Sequence, residues 1–347
     1  MGAATTLREH GLRIGELDPG PTASIADVAG VAVGHATVGC TGVTALLPGP
    51  IEGLWAEPVP AGVAVLNGAG ELTGSLQMAE WGTIETPVYL TATMSVGRVY
   101  DGAVAAALAA EPRIGVEAVV IPVVGECDDS WLNDPRVAQV DTEDVQRALA
   151  DAAASQAVAQ GAVGAGAGMV CFDWKGGIGS SSRVTGRGHT VGVLVLANYG
   201  DSNELRIDGV PVGRHLPAPK SDRDPAGSCI AVVATDAPLG SEQLTRVARR
   251  AGLGLARTGS VAHHGSGEIF MAFSTTARAP RGEQAAATLP NGELDPLFSA
   301  TVDATEEAVL NALWAAETTS GREGLVFERL PHEPVLALLA GHGRLGG

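Results

Sequence analysis

The sequence predicts a layered α/β or α+β fold, and three observations predict it. Short β-branched apolar runs bounded by Gly and Pro recur along the chain, and apolar stripes at helical spacing lie between them. The 47 glycines and the 4% aromatic share imply tight turns and close backbone approaches around an Ala/Val core. Ala61–Leu66, Val116–Val124, Thr190–Ala197, Ile230–Thr235 and Ile269–Thr275 read as buried strands. Val145, Ala148, Leu149 and Ala152 form one helical stripe, which Gly161 is expected to end as a left-handed cap. Leu244, Val247, Ala248, Ala251 and Leu255 form a second stripe, and Val309, Leu310, Leu313 and Trp314 a third. Strands and helices mix along the whole chain without a repeat and without a strict βαβ rhythm. The length allows about two domains or a single large one, and one domain spanning residues 1–347 is expected. Arg206–Gly227, rich in Pro, Gly and charge and without apolar periodicity, reads as an exposed, flexible linker.

Composition narrows the function. A chain of 347 residues buries enough surface to need no disulfide or metal staple. Its net charge of −17 repels phosphate backbones and anionic lipid headgroups, which disfavours nucleic-acid and membrane partners. With 45% hydrophobic and 18% charged residues it is not disordered, and no uncharged apolar run approaches the ~20 residues that span a bilayer. Met1–Glu9 lacks a basic start followed by an apolar stretch, so a cytoplasmic location is expected. Cys40, Cys127, Cys171 and Cys229 fit neither zinc-ribbon spacing nor a disulfide framework and are expected to be free.

The oddest junction is Gly227–Ser228, where the linker passes directly into the apolar run Cys229–Ala234. A Ser that opens a buried strand after a Gly is what a self-cleaving hydrolase needs. The Gly lets the chain bend until the hydroxyl reaches the preceding carbonyl, and cleavage frees an α-amine that serves as base. A plain loop-to-strand junction is the bland alternative. Ser266 and Glu268, two residues apart before the strand Ile269–Thr275, form a hydroxyl–carboxylate pair able to orient a nucleophile, or else a Gly-rich hairpin with a solvated Glu. Asn198 ends the apolar run of Val193–Gly200, where its amide can donate to an oxyanion or simply form a turn. Glu126, Asp128, Asp129 and Asp134 form an acidic cluster without EF-hand spacing or a neighbouring histidine. It reads as a solvated loop, or as one that receives a substrate amine, rather than as a metal site. Gly164–Gly168 and Lys175–Ser180 lack the G-x-x-x-x-G-K-[ST] order of a phosphate cradle. His263 and His264 could serve as triad bases, but adjacent residues in an extended segment point to opposite faces, and the pair reads as surface or packing residues.

With those residues in view, the chain resembles the autoprocessed aminopeptidases that include L-aminopeptidase/D-alanyl-esterase/amidase and the β-peptidyl aminopeptidases. The landmarks are Ala23–Val38 (ASIADVAGVAVGHATV), Leu66–Gly74 (LNGAGELTG), Gly125–Asp134 (GECDDSWLND), Lys175–Arg183 (KGGIGSSSR), Ala197–Gly200 (ANYG), Gly227–Leu239 (GSCIAVVATDAPL) and Gly265–Thr275 (GSGEIFMAFST). The resemblance implies an αββα sandwich resembling other N-terminal nucleophile hydrolases. It implies cleavage at Gly227–Ser228 into an α chain of residues 1–227 and a β chain of residues 228–347, and assembly as a homotetramer. Ser228 then falls on the nucleophile, Ser266 and Glu268 on its supporting pair, and Asn198 on the oxyanion donor. No metal or organic cofactor is implied.

The substrates expected are short peptides, amino-acid amides or esters with a free amino end, attracted by Glu126 and Asp129. Rival readings are an acyltransferase of the ornithine acetyltransferase type, which normally exposes a Thr, and a catalytically silent binding or assembly relative. The chain departs from the family pattern twice. Trp131 stands where the family has a Tyr, and an indole N–H donates but neither accepts nor ionises near neutrality. Ala92 in Thr91-Ala92-Thr93 replaces a polar residue, so substrate preference is not carried over.

Overall fold

A computed structural model describes residues 6–155, 157–219, 227–283 and 288–346. In chain order the strands are β1 (Ala32–Val38), β2 (Thr41–Leu47), β3 (Val59–Gly68), β4 (Thr83–Ile84), β5 (Val88–Ala92), β6 (Val123–Cys127), β7 (Val170–Cys171), β8 (Trp174–Lys175), β9 (Gly177–Val184), β10 (Thr190–Asn198), β11 (Ser228–Thr235) and β12 (Gly267–Ser274). The helices are α1 (Ile51–Leu54), α2 (Ser75–Trp81), α3 (Val96–Ala110), α4 (Thr142–Ala154), α5 (Val212–His215), α6 (Ser241–Thr258), α7 (Asp295–Trp314) and α8 (His332–Gly341). One sheet has the order β1-β2-β5-β6 and the other β4-β3-β12-β11-β10-β9.

Two buried faces per sheet require four layers. Alternation along β11 sends Ala231 and Val233 against α6 and α7, while Ile230, Val232 and Ala234 meet Leu46, Leu90 and Val123 of the facing sheet. The four-stranded sheet turns Val43, Tyr89 and Val124 outward onto Val99, Ala103, Val145 and Ala148 of α3 and α4. The architecture is the expected αββα sandwich. Each large aliphatic side chain that leaves water contributes roughly 1.5–3 kcal/mol, which explains why the central strands read as continuous apolar runs.

The helical stripes fall where the periodicity places them. Val145, Ala148 and Ala152 are buried on α4, and the second stripe is the buried face of α6, which Gly259 ends at φ 112°. Helix α7 is covered on nearly all sides, and its backbone lies directly on β9. A Cβ at Gly179 would stand 1.8 Å from the Ala308 carbonyl oxygen and 2.7 Å from the Ala312 nitrogen. Gly179→Ala must therefore push α7 off the sheet. It is expected to cost about 3 kcal/mol or more, read as a lower urea midpoint at unchanged slope.

Three boundary expectations are corrected. Val116–Val124 is not one strand: Gly115 turns at φ 82°, Val116 and Val119 are exposed, Ala118 makes only an isolated bridge to Ile114, and sheet pairing begins at Val123 and runs on through Glu126 to Cys127. α4 ends at Ala154, and Gly161, at φ 84°, packs instead against the Ala315 carbonyl. The Arg206–Gly227 segment is folded where it is described. Ile207, Val210, Val212 and Ala218 are buried, and α5 packs so closely that Gly213 admits no Cβ beside the Ser202 carbonyl. Residues 220–226 of that expected linker lie outside the described residues. Among the described residues no helix is long and apolar enough to cross a membrane.

Candidate active site

Three strand ends meet at one edge of the six-stranded sheet. β10 runs antiparallel to β11, and β11 runs parallel to β12, which brings the last residue of β10 beside the first residues of β11 and β12. The register aligns Asn198 with Ser228 and Ser228 with Gly267. β3 closes the row, with Asn67 opposite Glu268 and a bulge after Glu268. Alternation turns Ser228 toward the space between the sheets, on the same side as Ile230.

The peptide before Ser228 is held in place. The Gly267 N–H donates to the Gly227 carbonyl at 3.1 Å. Gly227 has close neighbours on its other side, since a Cβ there would lie 3.2 Å from Ser266 Oγ and 3.1 Å from the Tyr199 Cα. Ser266 Oγ donates to Glu268 Oε1, while Glu268 Oε2 is buried and has no hydrogen-bond partner among the described residues. Burial raises the Glu268 pKa, and the Ser266 hydrogen bond opposes that rise. Asn67 Nδ2 fixes the loop by donating to the carbonyls of Ser266 at 2.6 Å and His263 at 2.8 Å. The imidazole of His263 turns outward to Glu204 at 2.9 Å.

Asn198 is pinned at both ends of its amide. Oδ1 accepts the Val170 N–H at 2.8 Å, and Nδ2 donates to the Asp128 carbonyl at 2.9 Å. One Nδ2 proton remains for a ligand. Two clefts of ≈ 10 Å³ each, about one water in size, flank Gly227. Trp131, Val170, Asn198 and Tyr199 line the first, and Ser260, His263, Ser266 and Glu268 line the second. Trp131 is buried against Phe327, with ring centroids 5.1 Å apart. A larger cleft of ≈ 440 Å³ between Pro58, Trp81 and Arg281 contains none of these residues.

The acidic cluster is not a solvated loop. Glu126 is buried on β6, where it accepts the Glu71 N–H at 2.8 Å and the Thr93 hydroxyl, and burial holds its carboxyl above the ordinary range. Gly70 lies between it and the row: a Cβ on Gly70 would be 3.0 Å from Glu126 Oε1 and 3.7 Å from the Gly267 Cα. Asp129 is buried too but faces a separate cleft with Ala92, Arg98 and Asn133. Sequence reasoning thus finds Asn198, Gly227, Ser228, Ser266, Glu268, Trp131 and Glu126 around one edge, and the structure leaves Asp129 apart from them. It missed Asn67, whose only linear signal is an Asn-Gly pair closing a strand.

Burial pushes the Asp129 pKa from 3.8 up to about 6, against two hydrogen bonds from Asn133 at 3.2 Å. Between those values the native chain holds a proton that the unfolded chain has lost, so this group's contribution to stability falls as pH rises through that window. Asp129→Asn removes the effect, worth on the order of 3 kcal/mol. The variant is expected to gain stability over the wild type at pH 7.5 and none at pH 4, measured as urea midpoints.

The comparisons with known proteins agree with the geometry. The chain is 41% identical over 362 residues to a β-peptidyl aminopeptidase, BapA, of Sphingosinicella microcystinivorans, covering 94% of this chain and 90% of that protein. A solved β-aminopeptidase of Burkholderia sp. superposes with a TM-score of 0.88 at 40% identity over 99% of both chains. The L-aminopeptidase D-Ala-esterase/amidase of Ochrobactrum anthropi superposes with a TM-score of 0.90 at 36% identity, covering 98% of this chain and 99% of that one. That protein is described as a prototype of the serine aminopeptidases and a variant of the Ntn hydrolase fold. The signature of peptidase family S58 matches residues 23–327, and with these relatives at about 40% identity across nearly the whole chain, the protein belongs to peptidase family S58.

Proposed function

We propose that the chain is a self-cleaving serine aminopeptidase/amidase whose nucleophile is Ser228. One observation carries the reading: the Asn198–Ser228–Gly267 row, with the Gly227 carbonyl already held by a backbone donor at 3.1 Å. In maturation Ser228 Oγ attacks the Gly227 carbonyl carbon and the amide nitrogen leaves as the new α-amine. Water then hydrolyses the resulting ester, giving residues 1–227 with a terminal carboxylate and residues 228–347 with Ser228 at the amino end.

In turnover the same hydroxyl attacks a substrate amide or ester. Its proton passes to the free α-amine, or to Glu268 through Ser266, and the free Nδ2 proton of Asn198 and backbone N–H groups bind the oxyanion. The amine or alcohol departs and water releases the acyl group. Short peptides and amino-acid amides or esters with a free amino end suit the site, because the buried Glu126 carboxylate is stabilised by an ammonium ion beside it. Asp129, facing another cleft, takes no part in this reading. Trp131 forms a wall of the cleft beside Asn198 and contributes shape and one N–H. By the resemblance the enzyme assembles as a homotetramer, which light scattering on a sizing column tests.

The intact mass of freshly purified protein tests maturation first. Two species with the masses of residues 1–227 and 228–347, the second beginning at Ser228, are the expected result. A single chain of 35.0 kDa that survives prolonged incubation overturns it.

A further inference from the structure

The sequence has 22 cationic side chains, of which only Lys175 and Lys220 are lysines. Lys175 is fully buried. Its Nζ donates to three backbone carbonyls, those of Gly166 at 3.1 Å, Met169 at 2.8 Å and Gly176 at 2.8 Å. All three ammonium protons are thereby used. A planar guanidinium does not match three converging carbonyls, which accounts for a lysine here in a chain that otherwise uses arginine.

The Met169 carbonyl and the Val170 N–H are two ends of one peptide unit. The ammonium, with the Gly176 N–H at 2.9 Å, draws on the oxygen end, and the nitrogen end donates to Asn198 Oδ1 at 2.8 Å. Hydrogen bonds in series polarise one another, so a positive charge on the carbonyl makes the Val170 N–H a stronger donor. The Asn198 amide, drawn at its oxygen, becomes in turn a stronger donor at Nδ2. The same contacts forbid the flipped amide, which would set Nδ2 against the Val170 N–H and Oδ1 against the Asp128 carbonyl.

We propose that Lys175 is a positioning residue: its ammonium, acting through the Met169–Val170 peptide, fixes the Asn198 amide and strengthens its free Nδ2 proton as the donor to the oxyanion. The inference rests on the reading of Asn198 as that donor. Burial draws the Lys175 pKa down to about 7, and the three carbonyl oxygens around Nζ are acceptors that favour the charged form.

A double-mutant cycle tests both statements separately. Lys175→Met, Asn198→Ala and the double variant are assayed per mole of processed enzyme on an amino-acid p-nitroanilide. Asn198→Ala is expected to lower kcat about a hundredfold or more. Lys175→Met is expected to lower kcat about tenfold with KM within about twofold, as for a group felt only in the transition state. The double variant should be no slower than Asn198→Ala alone. Multiplying losses overturn the relay while leaving Asn198 in its role, and an unchanged kcat in Asn198→Ala removes the role itself. Should Lys175→Met not accumulate as folded protein, the wild-type enzyme carries the test. The ¹⁵Nζ resonance of Lys175, one of two lysine signals, is expected at the ammonium position at the pH of the assay, and a neutral-amine position overturns the proposal.

Discussion

Ser228→Ala is expected to leave one uncut chain and to lower amide hydrolysis by at least about 10⁴-fold, since both events need the same hydroxyl. The substitution removes one oxygen from a buried position at the head of a central strand, where Ala is readily held, so the thermal midpoint should hardly move. Loss of function without loss of fold is the diagnostic pairing. The Gly227 carbonyl would remain on the Gly267 N–H, but nothing would be in place to attack it. Ser228→Cys, which keeps a nucleophile of similar size, should recover part of the self-cleavage. Intact mass reads the first event and a p-nitroanilide assay the second. A Ser228→Ala protein that is still cut before residue 228, or still turns over at a tenth of the wild-type rate, ends the assignment.

Glu268→Gln carries the next largest effect. The carboxyl lies buried beside Gly227, with one oxygen bound by Ser266 and the other without a partner among the described residues, which is the arrangement of a group ready to accept a proton. Glutamine fills the same volume and accepts the Ser266 hydrogen bond, yet takes no proton. A loss of roughly 10²–10³-fold in kcat with little change in KM is expected. Because burial raises the Glu268 pKa, its basic form disappears at a higher pH than for an ordinary carboxylate. The acid limb of the wild-type kcat/KM profile should therefore lie above the usual carboxylate range, and the Gln variant should lack that limb. A variant within threefold of the wild type would confine Glu268 to packing.

Where sequence and structure agree, a local property decides the outcome. The apolar run Thr190–Ala197 can only be a strand buried on both faces, and the stripe from Leu244 to Leu255 can only face one layer. Gly227–Ser228 is conspicuous because a polar tail meets a core strand. The failures share a different cause. β6 carries Gly125 and Glu126, which spell no strand, and Glu126 is tolerated there because Glu71 and Thr93 satisfy its oxygens from other elements. The Pro- and Gly-rich residues 206–219 look exposed until Ser202 and Leu205 receive Gly213. Asn67 and Ser266 are 199 positions apart, so the bond between them follows from β3 pairing with β12 and from nothing local.

The strand order has a consequence for how the enzyme survives denaturation. In the sheet β4-β3-β12-β11-β10-β9, the strands that follow Ser228 are the inner pair, clasped between strands that precede it. An uncut chain assembles this arrangement as one molecule, at a rate independent of concentration. A chain cut before Ser228 must find its other half in solution, and the high effective concentration supplied by the covalent link is gone. Under the proposed cleavage, maturation makes folding one-way. The processed enzyme should regain little activity on dilution from denaturant, with a yield that rises with protein concentration, whereas uncut Ser228→Ala should refold at any dilution.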